Sequence, residues 1–272
     1  MRIFTTILAV LLTALPALAD QNLFMYVTKG DTAGLTKQLQ QGADPNSRNF
    51  VGETPLHVAS RYGLTEIIGR LVQHKANPNL ADDKGRTPLH VAVDLPTYYK
   101  LLNFGADKYA TDLNGNGILH YAAHLSSEDI AKVCVTDQNI VTHKNNLGRT
   151  PMMTATLSEN ANILKLLLSI GINVDQKDHE GMTALHHATE QDNEGLARLL
   201  IANKADVNCR DNSGSTPLHY AAYFSKNKVL LLLLKNGADT QAVMPSLDGH
   251  DLTPLDLART ANNFMGIELL AH

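Results

Sequence analysis

The chain has 272 residues, of which 44% are hydrophobic and 18% charged, so it has enough apolar material for a buried core and lacks the composition of a disordered protein. Its 27 acidic and 23 basic side chains give a formal net charge of −4, which argues against nucleic acid as the main partner because no positive field attracts phosphates. The absence of tryptophan and the presence of only two cysteines exclude an aromatic-rich lectin type and a small disulfide-rich domain.

Residues 1–19 have the pattern of a secretory signal peptide. Arg2 supplies a positive charge, Ile3–Leu15 forms an apolar stretch, and the small-residue site Ala17–Ala19 follows Pro16. The alternative is a transmembrane anchor, but the stretch is shorter than the roughly 20 residues that a bilayer requires. We therefore predict cleavage before Asp20 and an exported chain, periplasmic or secreted, with no membrane span after cleavage.

Beyond the N-terminal region, one nine-residue pattern recurs seven times, as in GETPLHVAS and GSTPLHYAA. The third residue of successive copies recurs at intervals of 33, 30, 33, 33, 33 and 37 residues. A second string, with members such as NKADVN and NGADTQ, follows at a fixed offset. The best-preserved copies read Thr-Pro-Leu-His, at Thr54, Pro55, Leu56 and His57, at Thr87, Pro88, Leu89 and His90, and at Thr216, Pro217, Leu218 and His219.

The residues of one copy predict a helical pair. The Thr54 hydroxyl is placed to cap a first helix, and Pro55 suits its first position, where no backbone N–H is needed. Leu56, Ala59 and the apolar residues of 67–71 recur at helical spacing and form an inward face. One such pair cannot bury its apolar face alone, so we expect it to be stabilised by stacking on its neighbours.

This pattern resembles the ankyrin repeat family, whose unit is a turn followed by two antiparallel helices. The resemblance implies an all-α ankyrin repeat solenoid of about seven to eight stacked helix-turn-helix units with projecting β-hairpin-like turns. It also implies a monomeric scaffold that binds other proteins. The predicted ankyrin repeat domain spans 20–272 and consists of an N-terminal capping repeat at 21–50, repeats 1 to 6 at 52–84, 85–114, 115–147, 148–180, 181–213 and 214–248, and a C-terminal capping repeat at 249–272.

Three departures from the pattern predict local irregularities. Repeat 2 lacks three residues around 94–97, so its first helix should be shortened. Repeat 3 has Gly117 at the capping position and 138–140 in place of Gly-Ala-Asp, which makes it the least regular unit. Four extra residues within 242–252 lengthen the last turn, and Met244, Pro245 and Leu247 predict a protruding apolar loop.

Two histidine and carboxylate patterns suggest metal sites. His120 and His124 lie four residues apart on one helix, but no third ligand is apparent. Asp112, Asn114 and Asn116 match half of a calcium loop, yet the twelfth position lacks the required glutamate, and such residues are expected in a turn. For the five signature histidines, the resemblance implies hydrogen bonds to the capping threonine and the adjoining turn: His57, His90, His120, His186 and His219.

No catalytic residue, metal ligand or cofactor site is predicted. The repeat register places Cys134 at an inward helix position and Cys209 in a loop, too far apart for a disulfide. We considered Cys209 and His219 as a nucleophile and its base, but the register makes them a turn residue and a scaffold histidine. Nor is there a glycine-rich phosphate loop or a nucleophile elbow.

The remaining candidate for function is the surface. Side chains four, seven and eight residues after each capping position should face the concave side, where aromatic residues favour protein binding. The alternative is that these aromatic rings pack between repeats. The predicted partner-binding residues are Arg61, Tyr62, Tyr121, His124, His187, Tyr220, Tyr223 and Phe224, and the turn tips add Phe50, Lys84, Leu113, Leu147 and His179.

These features predict a non-catalytic module that binds a partner protein through its concave face and turn tips. The alternative is a regulatory or protective accessory subunit of a co-exported enzyme, which would change that enzyme's activity on mixing. An enzyme in its own right is disfavoured, because only the signal peptide and short caps lie outside the repeats.

Overall fold

A computed structural model describes residues 23–246 and 249–271. Most of the predicted repeats form two short helices joined by a tight turn, which fits an all-α repeat solenoid. The helices are 23–28 and Thr32–Gln40 in the N-terminal capping repeat, Pro55–Arg61 and Thr65–Gln73 in repeat 1, the 3-10 helix Pro88–Val91 and Leu95–Asn103 in repeat 2, Ile118–Leu125, Glu128–Cys134 and Gln138–Val141 in repeat 3, Pro151–Leu157 and Ala161–Ser169 in repeat 4, Ala184–Glu190 and Glu194–Ala202 in repeat 5, Pro217–Tyr223 and Asn227–Lys235 in repeat 6, and Pro254–Thr260 and Phe264–Leu270 in the C-terminal capping repeat.

The first helices begin where the threonine and proline of the pattern predict. Thr54 has an extended backbone, and Pro55 follows as the first helical residue. The same arrangement recurs at Thr150 and Thr216. Because proline has no N–H and a fixed φ, it begins a helix without leaving an additional donor unsatisfied.

Two backbone positions in most repeats are left-handed. The first of these positions follows the first helix of the repeat, at Gly63 in repeat 1 (φ 68°) and at Glu159 in repeat 4 (φ 53°). The second follows the second helix, at Lys75 (φ 71°) and Lys204 (φ 70°). At this second position other repeats have glycine, with positive φ at Gly42, Gly105, Gly171 and Gly237. A lysine there has to adopt a conformation that L-residues disfavour.

The described residues form two compact units, one ending at Tyr121 and the other beginning at Ala122. In the first unit, helix Pro55–Arg61 packs against the 3-10 helix of repeat 2, and the second helices of repeats 1 and 2 pack together around the fully buried Leu71 and Leu101. Polar bridges join the loops, because Asn79 Oδ1 accepts from the Asp107 N–H (2.8 Å) and Asn79 Nδ2 donates to the Gly105 carbonyl (2.9 Å).

In the second unit, the first helices of repeats 4, 5, 6 and the C-terminal capping repeat pack in succession. Ala155, Ala188 and Ala221 are fully buried on these helices, and small side chains allow close approach. Asn208 bridges repeats 5 and 6 as Asn79 does in the first unit, by accepting from the Asp239 N–H (2.8 Å) and donating to the Gly237 carbonyl (3.2 Å).

Two of the predicted irregularities, in repeats 2 and 3, appear in the described residues, whereas the lengthened last turn forms a strand pair. The first helix of repeat 2 is reduced to a four-residue 3-10 turn. The first helix of repeat 3 begins directly after Gly117, and the repeat has an additional one-turn helix at Gln138–Val141. In the lengthened last turn, Met244–Pro245 and Asp251–Leu252 form an antiparallel strand pair, with Met244 opposite Leu252. Leu247 lies outside the described residues.

Cys134 and Cys209 are both buried, and neither forms a disulfide. Cys209 lies in a loop, as predicted, but it is more enclosed than a projecting turn residue would be. The predicted signal peptide lies outside the described residues. Within the described ranges, none of the helices has both the length and the apolar character needed to cross a bilayer.

Candidate protein-binding surface

Signature histidines connect the first helices of repeats 1, 2, 5 and 6 to the turn that precedes the first helix of the next repeat. In repeat 1, the Thr54 N–H donates to His57 Nδ1 (3.1 Å), and His57 Nε2 lies 2.8 Å from the Arg86 carbonyl. Because Nδ1 accepts a hydrogen bond, the proton of the neutral ring is on Nε2, which donates to the carbonyl. His219 repeats the arrangement with Thr216 and the Leu252 carbonyl.

Burial keeps these imidazoles neutral. It lowers the pKa of His57, His90 and His219 below the usual value, and it lowers the pKa of His186 to about 4. Backbone hydrogen bonds to the rings oppose this shift but do not outweigh it. The signature histidines are therefore scaffold groups whose ring nitrogens are already occupied.

In repeats 1 to 6, an aspartate or asparagine five residues before the capping position shapes the turn that precedes the first helix. Asp112 Oδ1, for example, accepts from the N–H groups of Asn114 (2.9 Å) and Asn116 (2.8 Å). In the stretch that matches half of a calcium loop, the Asp112 carboxylate thus accepts hydrogen bonds from the backbone N–H groups of its own turn. The same pair of hydrogen bonds forms at Asn49, Asp82, Asn145, Asp178 and Asp211.

In three of these turns the second carboxylate oxygen of the aspartate holds a side chain of the following helix, whereas Asp82 Oδ2 accepts from Arg86 in its own turn. Asp112 Oδ2 accepts from the Tyr121 hydroxyl (2.8 Å), and Asp211 Oδ2 accepts from the Tyr220 hydroxyl (2.7 Å). Burial raises the pKa of both phenols, and the neighbouring carboxylates raise it further. Tyr121 and Tyr220 are consequently half-buried anchors whose hydroxyls are already engaged.

His187 is not on the exposed face where the sequence pattern put it. Its side chain is 1% exposed, and its Nε2 lies 2.9 Å from Asp178 Oδ2. Its Nδ1 lies 3.6 Å from Glu190 Oε2, and Arg149 Nε approaches Asp178 Oδ2 at 3.9 Å. Because this group is enclosed between repeats 4 and 5, we remove His187 from the candidate surface.

Three aromatic side chains of repeat 6 form what we call the aromatic patch: Tyr220, Tyr223 and Phe224. Tyr223 and Phe224 are 47% and 48% exposed, and their rings meet edge to face with centroids 5.0 Å apart. The half-buried Tyr220 ring lies 6.1 Å from Phe224. The hydrogen bond from the Tyr220 hydroxyl to Asp211 fixes the orientation of the Tyr220 ring, on which the exposed Tyr223 and Phe224 rings are arranged.

A family model described as ankyrin repeats (3 copies) matches residues 23–99, 94–178 and 170–244 of the chain. The chain belongs to the ankyrin repeat family. No curated protein matches it significantly. Ankyrin repeats are generally protein-protein interaction modules and are typically non-catalytic, which points to protein partners.

His124, a further predicted surface residue of the second unit, contacts the adjacent ankyrin repeat. His124 is exposed, and its Nδ1 lies 3.1 Å from the Ser158 hydroxyl of repeat 4. Leu125, beside it, is also exposed. These side chains are open to a partner, with one polar group already engaged.

In the first unit, Arg61 and Tyr62 are the predicted surface residues. Tyr62 is well exposed, whereas Arg61 pairs with the buried Glu53 carboxylate. Arg86 approaches the same carboxylate at 3.3 Å and also pairs with Asp82. Arg61 therefore has a structural role as well as an exposed part.

Several turn tips of the ankyrin repeats present apolar side chains. Phe50 is 96% exposed, and Leu113 and Leu147 are also well exposed. Lys84 and His179 are exposed too, and their backbones link turns: the Leu113 N–H donates to the Lys84 carbonyl, and the His179 N–H donates to the Leu147 carbonyl (both 3.0 Å).

The chemistry at Cys209 differs from the pair considered in the sequence. Its Sγ lies 3.4 Å from Thr183 Oγ1 and 3.7 Å from His186 Nδ1, so the neighbouring imidazole is His186 rather than His219. Burial raises the pKa of Cys209 to about 11, which leaves the thiol protonated at neutral pH. In the described part of the chain, no three His, Cys, Asp or Glu side chains are grouped as metal ligands.

Proposed function

We propose that this ankyrin repeat protein is an exported, non-catalytic module that binds a partner protein through its first-helix face and turn tips. The observation that carries the proposal is the aromatic patch of repeat 6. A fully buried Tyr or Phe side chain removes about 150–250 Å² from water, so rings left exposed side by side favour a partner that covers them. Tyr223 and Phe224 are only about half covered by their own chain.

The base of the patch favours specific binding. The Tyr220 ring is held on one side by Asp211 and meets the His186 imidazole edge to face, with centroids 5.6 Å apart. Rings that are ordered before association lose little conformational freedom on binding. Such preorganised aromatic groups are the usual centres of binding energy in protein interfaces.

Other exposed groups extend the surface within each unit. Leu125 and His124 contribute in the second unit, together with the turn tip Leu147. In the first unit the well exposed apolar candidates are Phe50, Leu113 and Tyr62. We infer that these groups form the margin of the interface and that Tyr223 and Phe224 supply its centre.

The binding proposal is tested by affinity capture from the native envelope and medium with wild-type protein and a Tyr223→Ala, Phe224→Ala variant. The variant should lose the captured partner, because truncating a central aromatic residue typically weakens binding at least tenfold. The matched control is Tyr99→Ala, which removes an equally exposed ring on a second helix. Equal capture by the wild type and the double variant, with unchanged helical circular dichroism, would place the interface elsewhere.

Export rests on the pattern of residues 1–19 and is tested separately. Cells producing the full chain are fractionated, and the intact mass of the protein is measured. We expect a chain that begins at Asp20 in the envelope fraction or the medium. An uncleaved chain that begins at Met1 and stays inside the cell contradicts export and leaves the binding proposal standing.

A further inference from the structure

An open groove with a volume of about 500 Å³ lies on the second-helix side of the second unit. The second helices of repeats 5 and 6 form its walls, and Met265 of the C-terminal capping repeat closes one side. The groove shares no residue with the aromatic patch. None of the surface residues predicted from the repeat pattern lies in it, because those residues are on first helices and turns.

The floor of the groove is apolar. Leu231 is half-buried, Leu232 is buried, and Met265 is 53% exposed. Methionine is flexible and polarisable, and exposed methionines adapt well to apolar partners. An apolar side chain of about leucine size would cover all three groups and remove them from water.

Some of the charged side chains at the rim of the groove have partners within the chain, and others have no ion pair among the described residues. Glu194 pairs with Arg198 at 2.5 Å, and Asp192 Oδ1 accepts from the Val229 N–H at 3.4 Å. Lys228 and Lys235 are exposed, and neither has an ion pair within the described ranges of the chain. They are seven residues apart on one helix, so they lie on the same side and about 10 Å apart.

Asn227 adds a polar group at one end of the groove. Its Oδ1 is buried and has no hydrogen-bond partner among the described residues. A buried acceptor without a donor is unfavourable, and a ligand that provides an N–H or O–H would relieve it. A backbone amide provides such a donor, whereas the hydrocarbon chain of a fatty acid does not.

We propose that this groove binds an acidic peptide segment of a partner protein. The segment places an apolar side chain on Leu231 and Met265, and two carboxylates on Lys228 and Lys235. It also presents an amide donor to Asn227. A basic segment is disfavoured because it would bring further positive charge to two unpaired ammonium groups. The site is independent of the proposed function at the aromatic patch.

The test is an NMR titration of the full chain carrying labelled leucine and methionine methyl groups. The probe is a helical peptide with two glutamates seven residues apart and leucines between them. The control peptide has lysines in place of the glutamates. We expect saturable shifts of the Leu231 and Met265 methyl signals with the acidic peptide and none with the basic peptide.

A charge-reversal variant, Lys228→Glu with Lys235→Glu, should bind the acidic peptide about tenfold more weakly or worse, because two attractive pairs become repulsive. Lys165→Glu, at an exposed lysine on the second helix of repeat 4, is the matched control and should bind as the wild type does. Circular dichroism checks that both variants remain folded.

The proposal is overturned if both peptides bind equally, if the charge-reversal variant binds the acidic peptide as the wild type does, or if neither peptide shifts these methyl signals. Shifts produced by sodium dodecanoate but not by the acidic peptide would identify a site for a small amphiphile and would likewise overturn it. None of these outcomes depends on capture through Tyr223 and Phe224.

Discussion

At the scale of single residues, the left-handed lysines are the clearest local strain. Lys204 has φ 70° at a position where four other repeats have glycine. We predict that Lys204→Gly increases the free energy of unfolding by about 0.5 to 1 kcal/mol, because relief of an unfavourable φ outweighs the additional freedom of glycine in the unfolded chain. Urea unfolding, followed by circular dichroism, measures the change.

The matched control is the same lysine-to-glycine substitution inside a helix. Lys165 is exposed in the middle of helix Ala161–Ser169, so Lys165→Gly should destabilise the protein by about 0.5 to 1 kcal/mol. Changes of the same sign at the two positions would show that backbone strain is not what distinguishes Lys204.

The limits of sequence analysis are also visible at this scale. The helical offset that identified Tyr223 and Phe224 also placed His187 on the exposed face. It failed there because an aspartate of the preceding turn reaches the fourth position after the capping residue and holds its polar side chain inward, as Asp178 does for His187. Helical offset gives the direction of a Cβ atom, but it does not reveal this hydrogen bond.

At the scale of the elements, repeat 4 tests the capping motif, because Met153 replaces the signature histidine. The Thr150 N–H is 3.5 Å from the Met153 sulfur, a weak acceptor. We predict that Met153→His raises the free energy of unfolding by about 1 kcal/mol at pH 7, since an imidazole would accept from Thr150 and donate to the next turn. The midpoint of urea unfolding measures it.

Met152→Leu is the control for this change. It restores the other missing signature residue at a buried position without adding a hydrogen bond, and a swap of similar volume should have little effect. If Met153→His gives no gain at neutral pH, the packing of the buried thioether stabilises the protein as much as the two hydrogen bonds of an imidazole would.

The elements were more predictable than the groove. Threonine, proline and the 33-residue interval predicted the starts of most first helices, and the missing residues of repeat 2 predicted that its first helix is shortened. The groove at Lys228 and Met265 depends on which second helices lie side by side and on which ion pairs they form. A periodic pattern contains no information about those pairs.

At the scale of the whole molecule, the buried histidines predict sensitivity to acid. The pKa of His186 is lowered to about 4, whereas an unfolded imidazole titrates near about 6.5. Between these values the unfolded chain binds a proton that the folded chain does not, so the free energy of unfolding falls as pH decreases through this range. For His186 alone we expect a loss of about 2 kcal/mol between pH 7 and pH 5.

This prediction is tested by urea unfolding at pH 7 and pH 5 with wild-type protein and His186→Met. The variant copies the residue that repeat 4 uses, and it should lose about 2 kcal/mol less between the two pH values. The lowered pKa values of Asp82 and Asp211 add losses only at lower pH, below about 4. The same dependence in both proteins would contradict the assignment to His186.

Enclosure of the two cysteines has a practical consequence. An alkylating reagent in water cannot reach Cys134 or Cys209 while their repeats stay closed, and the protonated Cys209 thiol reacts slowly even at mildly alkaline pH. Because alkylation is slow compared with reclosing, the labelling rate of each native thiol reports the opening equilibrium of its own repeat. Local opening of the repeats that contain Cys134 and Cys209 can therefore be measured by mass spectrometry without introducing another cysteine.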